Sequence, residues 1–387
     1  MHVTPSIFSS LLKAIDRRGF KAIVARWDGD AYGKKFNSWE HLVALLFAQF
    51  SGADSLRAIE TGFNAQSNLH YHLGCGKIAR STLSDANARR PVQVLAELFA
   101  QLVAGLGRKA KREAGQVLRL IDSTPIPLSP LFDCAVSNGR IRGLKLHVLH
   151  DPGEDCPLGN AITPATVNDI GFGRGLALEA GVTYVFDRAY CHFGWWTNID
   201  KSGAFFVTRP KTNMRWKRLR ARPLANTQGD GFTVEADHEV ILASKTHKQL
   251  RIFLRLITVR RDGGEAFDII SNDRTRSAVE LAACYKARWQ IELFFRWMKQ
   301  NLNIKKFWAF NENAVRLQVL AAMIAFVLIS LARKLTGQQL PPRRFAELVS
   351  TFLHTRRPIA TIDKPPPINP SKAQTKSHPA QIEFQYT

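Results

Sequence analysis

"CYKARWQIELFFRWMKQNLN", residues 284–303, is a predicted helix with one acidic residue among many apolar ones. Polar side chains recur along it every three or four residues: Tyr285, Arg288, Glu292, Arg296, Lys299 and Asn303. At about 100° per residue, these positions form one narrow stripe. Because a helix that is apolar on its other faces is buried, the stripe is expected to face a polar cavity or a charged ligand. The alternative is a solvent-exposed row of ion pairs among Arg288, Glu292 and Arg296.

Two acids upstream of this helix each end a short predicted strand. Asp122 closes "VLRLID" (117–122), and Asp187 closes "VTYVFD" (182–187). In open α/β sheets, side chains at such strand ends face the crevice where ligands bind, although a strand-end Asp is also a common turn residue. Together with Glu292, these carboxylates would form an oxygen-rich site that suits Mg²⁺ or Mn²⁺ rather than zinc. Two such ions can drive displacement at a phosphodiester.

The periodicity of the chain changes several times and predicts its organisation. Residues 1–110 indicate a helical N-terminal domain for DNA binding or dimerisation, and 111–210 alternate strands with helices. Residues 211–275 indicate a β-rich insertion, 276–340 return to helix, and 341–387 indicate a C-terminal helix and a disordered Pro-rich tail. The predicted fold class is therefore α/β, with a mixed sheet flanked by helices and interrupted by the insertion.

The charge of the chain is strongly basic and unevenly distributed. The net charge is +22 over 387 residues, and residues 201–387 carry +18 of it. An excess of this size indicates a polyanionic partner, with nucleic acid first, although a generally basic soluble protein is the alternative. The segment "RPKTNMRWKRLRAR" (209–222) has seven cations and no acid, which favours phosphate binding over a merely solvated run.

Cysteine usage and hydropathy indicate a cytoplasmic protein. The five cysteines are widely spaced without a CxxC motif, which argues against a disulfide framework or a structural zinc site. The first twenty residues lack the pattern of a signal peptide. The apolar segment 319–332 is shorter than the roughly 18–20 residues of a membrane span, so a buried core helix is predicted.

These motifs resemble those of a known family. The spacing Tyr285–x2–Arg288–x3–Glu292–x6–Lys299 is similar to the Y-(2)-R-(3)-E-(6)-K signature of the DDE transposases of bacterial insertion sequences, in the IS-four branch. "IDSTPI" around Asp122 and "FDRAY" around Asp187 resemble the two Asp motifs of that family. The resemblance covers residues 115–335 and implies an RNase H-like catalytic core that carries a β-rich insertion before the glutamate.

The resemblance also implies roles for single residues. Asp122, Asp187 and Glu292 would be the catalytic, metal-binding triad for two Mg²⁺ (or Mn²⁺) ions. The residues expected to bind DNA are Tyr285, Arg288, Lys299, Arg188 and Arg209. An aromatic residue that holds a flipped base in some members would correspond to Phe267, although an ordinary core residue of a strand is the alternative there.

The predicted function is cut-and-paste DNA transposition. The protein would bind the terminal inverted repeats of its insertion sequence, cleave the element ends and join their 3′-hydroxyls to target DNA. A homodimer in the end-paired complex, an association with the bacterial nucleoid and no membrane partner are expected. The alternatives are a metal-dependent nuclease without strand transfer and a catalytically silent, basic DNA-binding protein.

Overall fold

The N-terminal part of the molecule is a bundle of helices. The computed structural model describes residues 4–31, 35–107, 117–137, 139, 141–242, 252–304 and 306–365. The helices here are α1 (Ile7–Leu12), α2 (Arg17–Arg26), α3 (Ser38–Ser51), α4 (Leu56–Asn64), α5 (His70–Leu73), α6 (Arg80–Arg89) and α7 (Val92–Gly107). A capping box between Asn37 and Glu40 starts α3, which is buried along nearly its whole length. The predicted C-terminal tail from 366 onwards lies outside the described residues.

In the described part of the chain, a single sheet of ten strands follows. The strands are β1 (Leu118–Pro127), β2 (Gly143–Asp151), β3 (Cys156–Pro164), β4 (Thr183–Phe186), β5 (Phe205–Thr208), β6 (Trp216–Ala221), β7 (Gln228–Gly229), β8 (Phe232–Leu242), β9 (Leu254–Arg261) and β10 (Ala266–Ser271). Their order is β3-β2-β1-β4-β5-β10-β9-β8-β6, and β7 pairs with β8. β1 and β4, and β4 and β5, are parallel, whereas β2 and β3 run antiparallel to their neighbours. The predicted mixed sheet is confirmed.

The β-rich residues after β5 extend this same sheet. β10 pairs with β5 through Ile270↔Thr208 and Ser271↔Val207, and β9, β8 and β6 continue outward from β10. Backbone hydrogen bonds therefore run across the sheet from β3 to β6. The inserted strands and the core strands share one hydrogen-bonded layer.

Helices cover both faces of the sheet, as in an RNase H-like α/β core. Ile121 faces a cluster that contains Trp195 and Trp196, whereas its neighbour Leu120 faces the larger cluster with the C-terminal helices. This alternation is the two-residue period of a strand with both faces buried. The helices are α8 (Ile170–Gly175), α9 (Phe193–Lys201), α10 (Ala278–Ala287), α11 (Trp289–Asn301), α12 (Glu312–Leu335) and α13 (Pro342–Thr351).

The long apolar helix α12 lies in the protein core. It has 24 residues and, by length and hydropathy, is able to cross a membrane, but 83% of its most apolar window is buried inside the protein. It packs against α3 and α7 of the N-terminal bundle. The prediction of a buried core helix at 319–332 is therefore confirmed, and α12 joins the N-terminal bundle to the catalytic region.

The prediction of one continuous helix over residues 284–303 is wrong. The chain forms α10 and α11, which meet at Arg288. The Arg288 N–H donates to the Tyr285 carbonyl, and the Ile291 N–H donates to the Arg288 carbonyl, so the junction has the three-residue spacing of a 3₁₀ turn. α11 is also less buried than predicted, since Trp289 and Leu293 are 49% and 44% exposed.

Candidate active site

Asp122 and Asp187 stand side by side at the end of a parallel ladder. In the register of β1 and β4, Ile121 pairs with Phe186, so each Asp is the next residue on its strand. The expectation that Asp122 ends its strand is wrong, because β1 continues to Pro127 through its pairing with β2. The two carboxylates nevertheless meet at one edge, since the β1–β4 pairing stops just before them.

Arg288 connects this edge to Glu292. Its guanidinium lies 2.7 Å from Glu292 Oε1 and 3.8 Å from Asp122 Oδ2. The Arg288 side chain is 18% exposed, so this is a largely desolvated contact rather than a surface ion pair. The 3₁₀ turn that separates α10 from α11 places Arg288 here, one turn before Glu292. Arg288 thus bridges two members of the predicted triad, Asp122 and Glu292.

The electrostatics of the two aspartates reflect their burial and mutual repulsion. Burial raises the pKa of Asp122 to about 7; the Ser123 N–H and Arg288 oppose the shift, whereas the charges of Asp187 and Glu292 add to it. Burial likewise raises the pKa of Asp187, and the Ala189 N–H and Arg288 lower it. Two buried carboxylates that repel each other have too little positive charge nearby to balance them. A bound cation would supply that charge.

The donor set fits a hard divalent cation by its chemistry. Carboxylate oxygens from Asp122, Asp187 and Glu292 are the ligand type that Mg²⁺ and Mn²⁺ prefer. Within the described ranges, however, no three His, Cys, Asp or Glu side chains lie close enough together to hold one ion. Arg288 contacts both Asp122 and Glu292, so in this arrangement it supplies the positive charge at the site.

Asp122 gives the metal-free protein a specific pH dependence. Its pKa is about 7 in the folded state, above the ordinary value of 3.8, so the fold loses stability as pH rises from about 4 to about 7. Asp122→Asn is therefore expected to stabilise the protein in EDTA, by on the order of 1 kcal/mol more at pH 8 than at pH 5. Thermal unfolding at both pH values measures this. An equal change in stability at both pH values would contradict this prediction. The same pH dependence in the control variant Asp133→Asn, which alters an exposed acid, would also contradict it.

Tyr285 and Arg209 lie together on the insertion side of the site. Tyr285 is 6% exposed, and its ring centre is 5.8 Å from the Arg288 guanidinium and 6.0 Å from the Phe267 ring. Burial raises the pKa of Tyr285, whereas Arg288 and Arg209 lower it. The Arg209 guanidinium lies 4.7 Å from the Phe267 ring centre.

A cavity opens beside these residues, between the inserted strands and α10. Its volume is about 570 Å³, and its lining includes Phe267, Tyr285, Trp289, Arg261 and Lys286. The lining therefore combines aromatic faces with cations. Phe267 is half-buried here, so it is neither a fully buried core residue nor a free surface side chain.

The other sequence-predicted residues take different positions. Lys299 is half-buried on α11, two turns after Glu292, and Arg188 is exposed directly after Asp187. Arg296 lies over the Trp289 ring, 5.5 Å from its centre, whereas the pairing with Glu292 is made by Arg288. Asn303 donates its side-chain amide to carbonyls of Ala48 and Ala53, 3.1 and 2.8 Å away. The single stripe thus divides into active-site and structural positions.

The cations of the basic segment 209–222 occupy three different environments. Arg220 and Arg222 pair with Glu239 on β8. Lys217 and Arg218 are exposed on β6, which is the outermost strand of the sheet. Lys211 donates to the Cys191 carbonyl, three residues after Arg188. The segment therefore leads from the active-site edge to the outer edge of the sheet.

Sequence reasoning missed a fourth acid near the site. Asp169 accepts hydrogen bonds from Ser123 and Lys145, and its charge contributes to the raised pKa of Asp187. It ends "GNAITPATVND" (159–169), a stretch interpreted only as a candidate strand. The signal was available in the sequence, since Asp169 closes a predicted strand just as Asp122 and Asp187 close theirs.

Comparisons with known proteins identify the family of this chain. Residues 113–328 match the family described as "Transposase DDE domain", and residues 3–76 match a "Domain of unknown function (DUF4372)". The chain is 53% identical over 304 residues to "Putative transposase y4zB" of Sinorhizobium fredii, which covers 79% of this chain and 85% of that protein. It is 28% identical over 259 residues to "Probable transposase for insertion sequence element IS5377" of Geobacillus stearothermophilus, with 66% and 68% covered.

A solved structure of a piggyBac transposase synaptic complex with hairpin DNA is also similar, with a TM-score of 0.47 and 10% identity, covering 94% of this chain and 82% of that one. The family match spans more than half of the chain and includes Asp122, Asp187 and Glu292. With the identity to the Sinorhizobium relative, this shows that the chain belongs to the DDE transposase family.

Proposed function

We propose that this DDE transposase binds the terminal inverted repeats of its insertion sequence, cleaves DNA at the element ends and joins the 3′-hydroxyl ends to target DNA. The observation that carries the proposal is the register of β1 and β4, which sets Asp122 beside Asp187. Glu292 reaches the same edge through the Arg288 guanidinium. Two acids on adjacent strands, and a third linked to Asp122 by a shared guanidinium, support the proposal.

The enzyme depends on a divalent metal, and the proposed ligands are Asp122, Asp187 and Glu292. Two Mg²⁺ or Mn²⁺ ions, when bound, supply activation of the attacking oxygen and stabilisation of the leaving oxygen at the phosphodiester. Asp122 and Asp187 come from adjacent strands of a packed sheet, so their spacing is set by backbone hydrogen bonds. Glu292 comes from a helix, and its side chain is 31% exposed, which leaves it free to adjust.

The cations around the acids are proposed to hold the DNA backbone. Arg288 offers a planar fork suited to a phosphate, and Lys299 offers a point charge further along α11. Tyr285 is proposed to orient the scissile phosphate beside Arg288. Arg188 and Arg209, on the loops after β4 and β5, are proposed to contact the flanking phosphates. These contacts position the DNA without reading its sequence.

A homodimer is proposed as the active assembly, because one reaction must hold two element ends together. Each protomer would carry one end, and the basic surface from Arg209 to Arg218 would follow the duplex away from the cleaved bond. The same charge would keep the protein on the nucleoid when no element end is bound. Sedimentation with and without end DNA tests the assembly.

A strand-transfer assay tests the proposed function. The wild-type protein, a duplex with the element end and a supercoiled target are incubated with Mg²⁺, once with a 3′-hydroxyl end and once with a 3′-deoxy end. Joined products that require the 3′-hydroxyl support transposition. Cleavage without joining would indicate the nuclease alternative, and binding without either product would indicate the silent DNA-binding alternative.

Lys299→Ala is expected to weaken binding of element-end DNA. Loss of one phosphate contact should reduce the dependence of log K on log salt by about one unit. Fluorescence anisotropy over a range of NaCl concentrations measures this slope. Lys306→Ala is the matched control, since Lys306 is exposed and pairs with Asp54. A slope for Lys299→Ala equal to that of the wild type would remove Lys299 from the proposed DNA contacts.

A further inference from the structure

Asp169 joins three parts of the fold behind the active site. It lies in the connection between β3 and α8, and its side chain is 17% exposed. Its Oδ1 accepts from the Ser123 hydroxyl at 2.9 Å and from Lys145 Nζ at 3.2 Å, and His147 Nδ1 lies 3.8 Å away. The side chain makes no capping bond to α8, so its hydrogen bonds are directed to the sheet instead.

Ser123 links this carboxylate directly to a proposed metal ligand. The Ser123 N–H donates to Asp122 Oδ1 at 2.8 Å, while the Ser123 hydroxyl donates to Asp169. Because successive residues of a strand face opposite sides of the sheet, Asp122 faces α11 and Ser123 faces the side of α8. Ser123 therefore contacts Asp122 on one face of the sheet and Asp169 on the other. Its main-chain N–H orients the Asp122 carboxylate.

Lys145 compensates the charge of Asp169. It lies on β2, pairs with Pro125 of β1 and is 15% exposed. Its ammonium also donates to the Val167 carbonyl at 2.9 Å, so it fixes the connection that carries Asp169. A carboxylate with a lysine and a hydroxyl as partners is satisfied in its charged form. It can therefore hold Ser123 in one rotamer without itself binding an ion.

The buried Tyr190 experiences the charges of these acids. Tyr190 is fully buried, and burial raises its pKa, with further contributions from the charges of Asp122, Asp169 and Asp187. The charges of all three acids therefore act on the Tyr190 phenol. Asp169 belongs to the electrostatic surroundings of the active site rather than to a distant surface pair.

We propose that Asp169 is a positioning residue for Asp122 and acts through Ser123. The inference rests on the proposed role of Asp122 as a metal ligand. The Asp169 carboxylate holds the Ser123 hydroxyl and Lys145, which fixes the backbone of β1 at Asp122 and the rotamer that presents its carboxylate. Partners of this kind orient metal ligands, and their loss weakens metal binding more than it weakens the fold.

Asp169→Asn in the full chain tests the proposal. Manganese binding, titrated by calorimetry without DNA, is expected to weaken by about 10–100-fold. The apparent metal constant for cleavage should rise to the same extent, while the cleavage rate at saturating Mn²⁺ stays close to that of the wild type. Binding of end DNA in EDTA should be unchanged, since no proposed DNA contact is removed. Asp262→Asn, an exposed acid in the β9–β10 turn, is the control.

Ser123→Ala provides the second, milder variant, because it removes the link and leaves the Lys145–Asp169 pair intact. It should shift the metal titration in the same direction, and the double variant should be no worse than Asp169→Asn alone. Unchanged manganese affinity in both variants overturns the inference. If Asp169→Asn does not fold, unchanged affinity in Ser123→Ala overturns it alone. A wild-type protein that binds manganese but cleaves no DNA would instead count against the proposed function.

Discussion

Asp187→Asn is expected to slow cleavage of element-end DNA by at least about a thousandfold in Mg²⁺ while leaving binding of that DNA intact. The substitution keeps the size and the hydrogen-bonding capacity of the side chain. The Ala189 N–H, which donates to Asp187 Oδ1 at 2.8 Å, therefore retains an acceptor. It removes only the negative charge that the proposed metal site requires. Single-turnover cleavage and anisotropy measurements on the same DNA separate the two effects.

The control for this variant is Asp54→Asn, which removes an exposed acid paired with Lys306. It should cleave at the wild-type rate, because exposed pairs contribute little and lie outside the site. Cleavage by Asp187→Asn at the control rate would remove Asp187 from the catalytic residues. Loss of DNA binding in that variant would point to misfolding instead, which circular dichroism would reveal.

Arg255→Met is expected to destabilise the protein by about 3 kcal/mol, the lower end of the typical cost of breaking a buried ion pair, because Arg222 Nε still lies 3.7 Å from Asp237 Oδ2. Arg255 and Asp237 are each 2% exposed, and the guanidinium contacts Asp237 at 2.6 Å. Arg255 also donates to the Asp273 and Arg276 carbonyls, at 3.1 and 2.6 Å, just before α10 begins. The loss would therefore also loosen the segment that leads to Tyr285.

Arg260→Met is a matched control for this prediction. Arg260 lies on the same strand and pairs with Glu235, but the two side chains are 50% and 36% exposed. Its loss should cost less than about 1 kcal/mol in urea unfolding. A double variant, Asp237→Leu with Arg255→Met, should recover much of the stability, since apolar pairs often replace buried ion pairs well. Equal costs for the two single variants would contradict the argument.

Local patterns were sufficient to predict the main parts of the fold and the acids. Asp122 and Asp187 follow short runs of β-forming residues, and such runs reveal strands whatever the rest of the chain does. That the chain folds as a mixed α/β sheet, and that it belongs to the DDE transposases, follow from these motifs and the spacing from Tyr285 to Lys299. Whether the chosen residues bind metal and DNA stays a prediction.

Features that depend on distant parts of the chain were not predictable in the same way. The turn at Arg288 interrupts an otherwise regular helical pattern, and the contact of Arg288 with Asp122 spans 166 positions of sequence. The role of Asp169 depends on the β1–β2 register, which brings Lys145 and His147 next to Ser123. Such contacts are fixed by tertiary packing, which overrides local propensity.

The unbroken sheet bears on whether this enzyme can be shortened. The inserted strands look in sequence like a module that could be deleted, but β10 supplies the hydrogen-bonding partner of β5. Excision of residues 211–275 would leave β5 as an open edge beside β4 and the proposed catalytic aspartates, and open edges recruit other chains. A minimal version of this transposase would therefore need a replacement edge strand beside β5.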